Sequence, residues 1–259
     1  MKLKDTIHYN WYKQLFAIFI VFILLLASFR VTDANFSDVF NNADQMAIFL
    51  KRFLQPDWSF VPSLIGPMVK TIQMSILGTA IGVLFALPFS FMATTDVTKN
   101  YFLTTVVRFI LDLVRTIPNL LLAAIFVAIV GIGEFTGVLT IAVFTFGMFS
   151  QLLYEAIETI DHGPIEAAES IGANKIQIAF WAVAPQVLQH IVSYALYSLE
   201  VNVRASTILG YVGAGGIGVI LNTSLSLLNY GRASIIIVSI FVVVVIIDLI
   251  SEAIRKRLV

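Results

Sequence analysis

The chain has 259 residues, 59% hydrophobic and 12% charged, with 16 Lys plus Arg against 16 Asp plus Glu, a net charge of zero and a mean hydropathy of +0.92. Soluble domains run at about 25% charged, so the composition excludes a water-soluble globule, a disordered chain and a nucleic-acid-binding domain, which would need a basic footprint. There is no cysteine for a disulfide, thiolate metal site or Cys nucleophile, and His8, His162 and His190 lie too far apart for metal-ligand spacing. What remains is an all-α polytopic membrane protein.

A helix needs about 20 largely apolar residues to cross the hydrocarbon core. Stretches of that kind fall near Leu15–Phe29, Pro67–Ala93, Phe102–Val130, Phe135–Glu155, Leu188–Leu209 and Ala233–Ile254, about six transmembrane helices. The third is long, and Pro118 predicts a kink in it. With the N-terminus inside, the inner pieces carry Lys2, Lys4, Lys13, Lys99, Lys175, Arg255, Lys256 and Arg257, and the outer pieces only Arg30, Lys51, Arg52 and Arg232. This bias places both termini in the cytoplasm. The first stretch also has the outline of a signal peptide, but Leu25-Leu26-Ala27 is a poor cleavage site, so an uncleaved helix is expected. In the outer segment after it, Asp44–Leu54 has apolar residues near helical spacing and suits the membrane surface. The organisation read from these elements is an N-terminal helix with its outer segment (residues 1–64), then a membrane domain (65–259) with an inner loop at 156–187.

That inner loop contains Asp161–Pro185, DHGPIEAAESIGANKIQIAFWAVAP, too polar to span and too patterned for an idle linker. Gly163-Pro164 opens a helix. Glu166 falls in its first turn, where a carboxylate meets the positive helix end. Ala167 and Ala168 leave one face smooth enough for close approach of another protein, and Gly172 permits a sharp exit. Ile176, Phe180 and Val183, at i, i+4 and i+7, predict a second amphipathic helix ended by Pro185. By pattern alone the loop reads equally as a segment lying on the membrane.

Glu166-Ala167-Ala168, three residues, Gly172, then Pro185 thirteen positions on, resembles the EAA loop of ATP-binding-cassette importer permeases. The usual I-x-L-P tail is here Ala182-Val183-Ala184-Pro185, which keeps apolar character with smaller side chains. Val114-Arg115-Thr116-Ile117-Pro118 is similar to the arginine-aliphatic-proline element of an earlier core span in that family. Gly210-Tyr211-Val212-Gly213-Ala214-Gly215-Gly216 is similar to its glycine-rich outer turn. Together these cover roughly residues 65–255, and the branch most resembled is that of the phosphonate importers. The resemblance implies a five-helix permease core plus one N-terminal helix in a bacterial inner membrane, with the permease forming a homodimer. It further implies two ATPase subunits docked on the EAA helices, a periplasmic or lipid-anchored substrate-binding protein outside, and ATP bound by the partner subunits. On this reading Glu166, Ala167, Ala168, Gly172 and Pro185 serve ATPase coupling, and the chain itself is not an enzyme and holds no cofactor.

Ionisable residues inside spans are costly and face a cavity or each other. Glu200, Arg204 and Thr207 fall on one helical face with Asn202 and Ser206 nearby; Asp112, Arg115 and Asn119 form a second stripe beside Thr116. Internal pairing, Glu200 with Arg204 and Asp112 with Arg115, is one reading. The other is a substrate pathway of Arg204, Asn202, Glu200, Ser206, Thr207, Arg115 and Asn119, since an oxyanion seeks Arg, amide and hydroxyl donors. Asp248 and Glu252 read as interfacial charges. Ser75, Gly78, Gly82 and Ala86 make a small-residue row, for packing within the subunit or between two copies.

Gly213, Gly215, Gly216 and Gly218 sit in a run that fits G-x-G-x-x-G by letter, but a membrane helix precedes it and aliphatics follow, so a dinucleotide fold is excluded and a tight re-entrant turn near the outer mouth is expected. No P-loop motif occurs, and no Ser/His/Asp spacing suggests a triad. The expected function is a permease subunit moving phosphonate or a related phosphorus oxyanion. Phosphite, phosphate or methionine as cargo remain alternatives, as does an ion-gradient secondary transporter, which would show inverted repeats.

Overall fold

A computed structural model describes residues 11–32 and 36–258. The chain divides into two compact units between Lys51 and Arg52. The first contains α1 (Trp11–Val31), α2 (Phe36–Asn41) and most of α3 (Ala43–Phe53). Leu15–Ala27 is unbroken apolar sequence with Lys13 and Arg30 towards the ends of α1, the composition of a span. Helix α3 falls where the surface-helix periodicity predicts one.

The second unit carries α4 (Val61–Met92), α5 (Thr95–Thr98), α6 (Tyr101–Thr116), α7 (Asn119–Val130) and α8 (Glu134–Ile157). After these come α9 (Gly163–Ser170), α10 (Lys175–Gln177), a π-turn over Ile178–Val183, α11 (Ala184–Leu209), α12 (Ile217–Ser226) and α13 (Tyr230–Leu258). Among the described residues no strand occurs. Among the described residues, helices α1, α4, α8 and α13 are long and apolar enough to cross a membrane, and the count is six when each of the bent pairs α6–α7 and α10/α11–α12 is taken as one span.

Three local expectations need correction. The third stretch is not one kinked helix: α6 and α7 meet at 88°. Ile117 is extended (φ −76°, ψ 119°) because the following proline disfavours the helical region, and Pro118 then caps α7. The second amphipathic helix has no single face made of Ile176, Phe180 and Val183. Val183 is buried with Ile178 and Ala182, while Ile176 and Phe180 are exposed. The π-turn is the cause, since its wider winding shifts the register within this stretch. Nor does Pro185 end that helix. Ala184 donates five residues back, to the Ala179 carbonyl, and this wider turn admits a proline in the first turn of α11 without a break.

Helices α4, α8 and α11 form the heart of the second unit. Ser75, Gly78, Gly82 and Ala86 are all buried within the subunit, where an added Cβ at Gly78 would meet Ile141 Cγ2 at 2.6 Å and one at Gly82 the Ala142 carbonyl oxygen at 2.6 Å. The row therefore serves packing of α4 on α8. Helix α11 runs antiparallel to α4: Val187 clusters with Ala86, Asn202 meets Thr79, and Leu209 clusters with Met74. At the far end, Leu64 and Met68 of α4 pack with Ile217 and Leu221 of α12 and with Ala233, Ile235 and Ile236 of α13.

This packing predicts unequal outcomes at two glycines of one helix. Gly82→Leu should lower stability by about 1–3 kcal/mol, because α8 cannot retreat. Gly66→Ala, with nothing beyond its chain neighbours within 4 Å, should shift it by less than about 1 kcal/mol, because the gain in helix propensity is offset by crowding of the new Cβ against Pro67. Thermal unfolding in detergent micelles measures both; equal midpoints for the two variants would contradict the packing.

Candidate functional site

The inner loop is a built structure. Asp161 accepts a hydrogen bond from the Gly163 N–H (3.0 Å), and Pro164 sits in the first turn of α9. Ile165, only 4% exposed, pins α9 to a cluster containing Phe149, Leu153, Ile178 and Val183, and Ala168 packs against the same cluster, so of the two alanines expected on the open face only Ala167 lies there. Glu166, Ala167 and Ser170 are left exposed. The helix closes when Gly172 and Ala173 donate to the carbonyls of Glu169 (2.9 Å) and Ala168 (3.0 Å). Gly172 stands at φ +80°, which a side chain would strain. A capping box follows: Asn174 accepts from the Gln177 N–H (2.9 Å), and the Gln177 side chain accepts from the Asn174 N–H (2.8 Å). Pro185 is exposed at the start of α11.

Behind this loop, cationic side chains hold it to the α4–α6 connection. Arg108 Nε donates to the Ala93 carbonyl (2.7 Å), its Nη2 pairs with Glu158 just past α8, and its guanidinium lies 4.8 Å from the Tyr154 ring centroid. Lys99 pairs with Glu169 of α9, and the Lys175 ammonium donates to the Thr98 carbonyl at the end of α5. Cations thus meet the negative ends of α4 and α5. Sequence reasoning missed Arg108, Lys99 and Lys175 as a set, because their partners lie 50 or more positions away in the two long-range hydrogen bonds and no local pattern marks them.

The polar residues of the fifth span divide between two faces. Asn202 and Ser206 are fully buried. Asn202 Nδ2 donates to Thr79 Oγ1 (2.8 Å) and Thr145 Oγ1 (2.7 Å), tying α11 to α4 and α8, while its Oδ1 has no partner. Ser206 donates to the Val203 carbonyl (2.7 Å). Glu200, 13% exposed in its side chain, accepts from Arg204 at 2.6 Å and lies 3.9 Å from Arg255 of α13, which also stands 4.0 Å from Asp248. Arg204 remains half exposed, and Thr207 donates to the Arg204 carbonyl (2.7 Å). On α6, Arg115 and Asp112 are both exposed at 3.9 Å, and Asn119 begins α7 beyond the break. The structure therefore brings Glu200 and Arg204 together, and it places Asn202 and Ser206 in the helix contact.

At the glycine turn α12 is bent by 50° from α11, and its Ile217 and Leu221 pack with Leu64 and Met68 near the start of α4. Gly213, Gly215 and Gly216 all have positive φ, and Gly210 and Gly218 come so close that a Cβ on either would overlap backbone. The Gly213 carbonyl accepts from the Gly133 N–H of the α7–α8 turn (3.0 Å), and Thr71 Oγ1 of α4 accepts from the Ile217 N–H (2.7 Å).

Residues 78–259 match the family described as binding-protein-dependent transport system inner membrane component. The chain is 38% identical to the phosphite transport system permease protein PtxC of Stutzerimonas stutzeri, over 96% of this chain and 90% of that protein. It is 40% identical to the phosphate-import permease protein PhnE of Mycolicibacterium smegmatis, over 73% of this chain and 36% of that longer protein. In fold it resembles a chain of the inward-facing MetNI methionine ABC transporter, with a TM-score of 0.71 and 23% identity over 78% of this chain and 99% of that one.

Arg108→Gln should cost about 1–2 kcal/mol by freeing the Ala93 carbonyl and the Glu158 carboxylate. Arg108→Lys should restore only part of this, since an ammonium lacks the planar fork. Chemical denaturation in detergent would check the ranking, and full rescue by lysine would contradict the geometry. Asn202→Asp should cost about 3–5 kcal/mol by placing a carboxylate in the α4–α8–α11 contact, against a smaller loss for Asn202→Leu; the same unfolding measurement compares them.

Proposed function

We propose, since this chain belongs to the binding-protein-dependent transport system inner membrane components, that it is the permease of an ATP-binding-cassette importer whose cargo is a phosphorus oxyanion, phosphonate or phosphite. One observation carries the coupling role: α9 is fixed by Ile165 while Glu166 and Ala167 stand free on its other side. A helix held from behind, with a carboxylate and a single small Ala167 on its free side, can enter a groove of another protein and transmit its displacement. Two copies of the permease with two ATPases, and a periplasmic or lipid-anchored binding protein, complete the assembly. Both termini and α9 lie on the cytoplasmic side, in keeping with the Lys and Arg bias.

Oxyanion cargo is supported by the similarity to phosphite and phosphate permeases. Arg204, half exposed, and Arg115 on α6 are the cationic donors of the candidate pathway, with Thr207 and Asn119 beside them in sequence. Glu200 holds Arg204 in place and offsets its charge, so passage rather than tight capture is the expected behaviour. The turn holding Gly213, Gly215, Gly216 and Gly218 keeps the two broken helices close without side chains between them.

The test is uptake into proteoliposomes that hold the permease, its ATPase and its binding protein. Uptake of phosphite or a phosphonate should require ATP; uptake driven by an ion gradient alone would reject the reading. Ala167→Trp should weaken association with the ATPase by about 30-fold or more, the factor corresponding to ~2 kcal/mol, with the permease still inserted. Gly172→Val should add about 1–3 kcal/mol of backbone strain at φ +80° and reduce ATP-driven uptake more than membrane abundance. Co-purification and uptake assays measure the two effects.

A further inference from the structure

A groove of about 590 Å³ opens beside the inner loop, between the end of α4, the start of α6 and the start of α11. Leu87, Phe91, Ala184 and Ile191 line it with hydrocarbon, and Lys175 is its only charged residue. The groove has a direction. Because α4 and α11 are antiparallel, Leu87 and Ile191 lie at its deep end, towards the middle of both spans. Thr98 and Lys175 lie at the end that meets the loop.

The Lys175 ammonium is satisfied by a neutral acceptor, the Thr98 carbonyl, and among the described residues no carboxylate pairs with it. Ile176 and Phe180 edge the groove from the same stretch of chain, Trp181 (81% exposed) stands outward beside them, and Tyr101 and Phe102 are exposed just before the lining residue Leu103. Aromatic side chains of this kind mark the membrane–water interface. The volume falls within the range of small-ligand sites. Hydrocarbon at one end and a cation without a counter-charge at the other match an amphiphile with an anionic head.

We propose that this groove binds one anionic phospholipid of the cytoplasmic leaflet, its phosphodiester against Lys175 and an acyl chain lying between Leu87 and Ile191. The site is distinct from the cargo pathway and from the exposed face of α9. Its leaflet assignment rests on the cytoplasmic placement of α9, but binding itself does not. Four lining residues, Lys175, Ile176, Ala179 and Phe180, belong to α10 and the π-turn that follow α9. A lipid seated there fills the space into which that segment would otherwise collapse.

The test uses the full-length permease co-purified with its ATPase and reconstituted in phosphatidylcholine vesicles containing a phosphatidylglycerol with a photoreactive acyl chain. Crosslinks should map to the deep-end residues around Leu87 and Ile191. Unlabelled phosphatidylglycerol should compete better than phosphatidylcholine, a comparison that needs no variant. Lys175→Gln should reduce crosslinking about fivefold, the effect of one interfacial cation, and Ala184→Phe should abolish it by filling the groove. Equal competition by the two lipids, unchanged crosslinking in the Ala184→Phe variant, or a photoreactive amino acid at Leu87 joining the groove to a second copy or to α1 instead of to lipid would each overturn the proposal. Loss of ATPase association in the Ala167→Trp variant with lipid crosslinking retained would separate this site from the coupling role.

Discussion

At Gly78 and Gly82 the backbone of α4 reaches contact distance from α8. In a bilayer this contact cannot be driven by expulsion of water, because lipid tails are as apolar as the helices. It depends on dispersion and on hydrogen bonds, and both require an approach that a side chain would prevent. Once α4 and α8 are that close, Thr79 and Thr145 present their hydroxyls to one point, and Asn202 of α11 donates to both. The three-helix heart is thus a consequence of two missing side chains and one amide, with α6, α7, α12 and α13 added around it.

The same order explains the loop. The ends of α4, α8 and α11 have fixed positions, so the segment between α8 and α11 must bridge a set distance, and it does so as a helix, a sharp glycine exit, a capping box and a π-turn. Its rear is held by Ile165 in the hydrophobic cluster and by Glu158, Glu169 and Lys175 in polar contacts to the α4–α6 connection. Exposed ion pairs such as Lys99–Glu169 are individually weak. Arg108 is the stronger holder, because one guanidinium serves a carbonyl, a carboxylate and an aromatic face at once.

Much of this was legible in the sequence because bilayers impose simple lengths and periods. Six apolar stretches appear as four long helices and two bent pairs; Gly163-Pro164 and Gly172 begin and end α9 where local chemistry requires. What escaped was long-range or geometric. Pro118 signals a break but not an angle, and 88° follows from where α7 finds its partners. Along α11 the sequence sets Asn202 and Ser206 near the Glu200–Arg204–Thr207 face without saying what each meets. In the fold Asn202 donates to α4 and α8 and Ser206 is buried, while Glu200 and Arg204 pair with each other, a division that depends on which neighbour lies on which side. Lys175 and Arg108 carry no local pattern at all, since their partners are set by the tertiary fold.

The π-turn at Ile178–Val183 has a mechanical implication. A π-turn holds one residue more than regular winding of the same helix requires, so this stretch has slack built into its coil. Taking up that slack would swing Lys175–Gln177 through about 100° around the axis, one residue's share of a 3.6-residue turn, without stretching the chain or breaking the helix. Such a turn would exchange the Lys175–Thr98 hydrogen bond and the place of Ile178 in the hydrophobic cluster for new contacts. The wound and relaxed forms thus differ in what they hold at one end, while Pro185 and the rest of α11 stay seated.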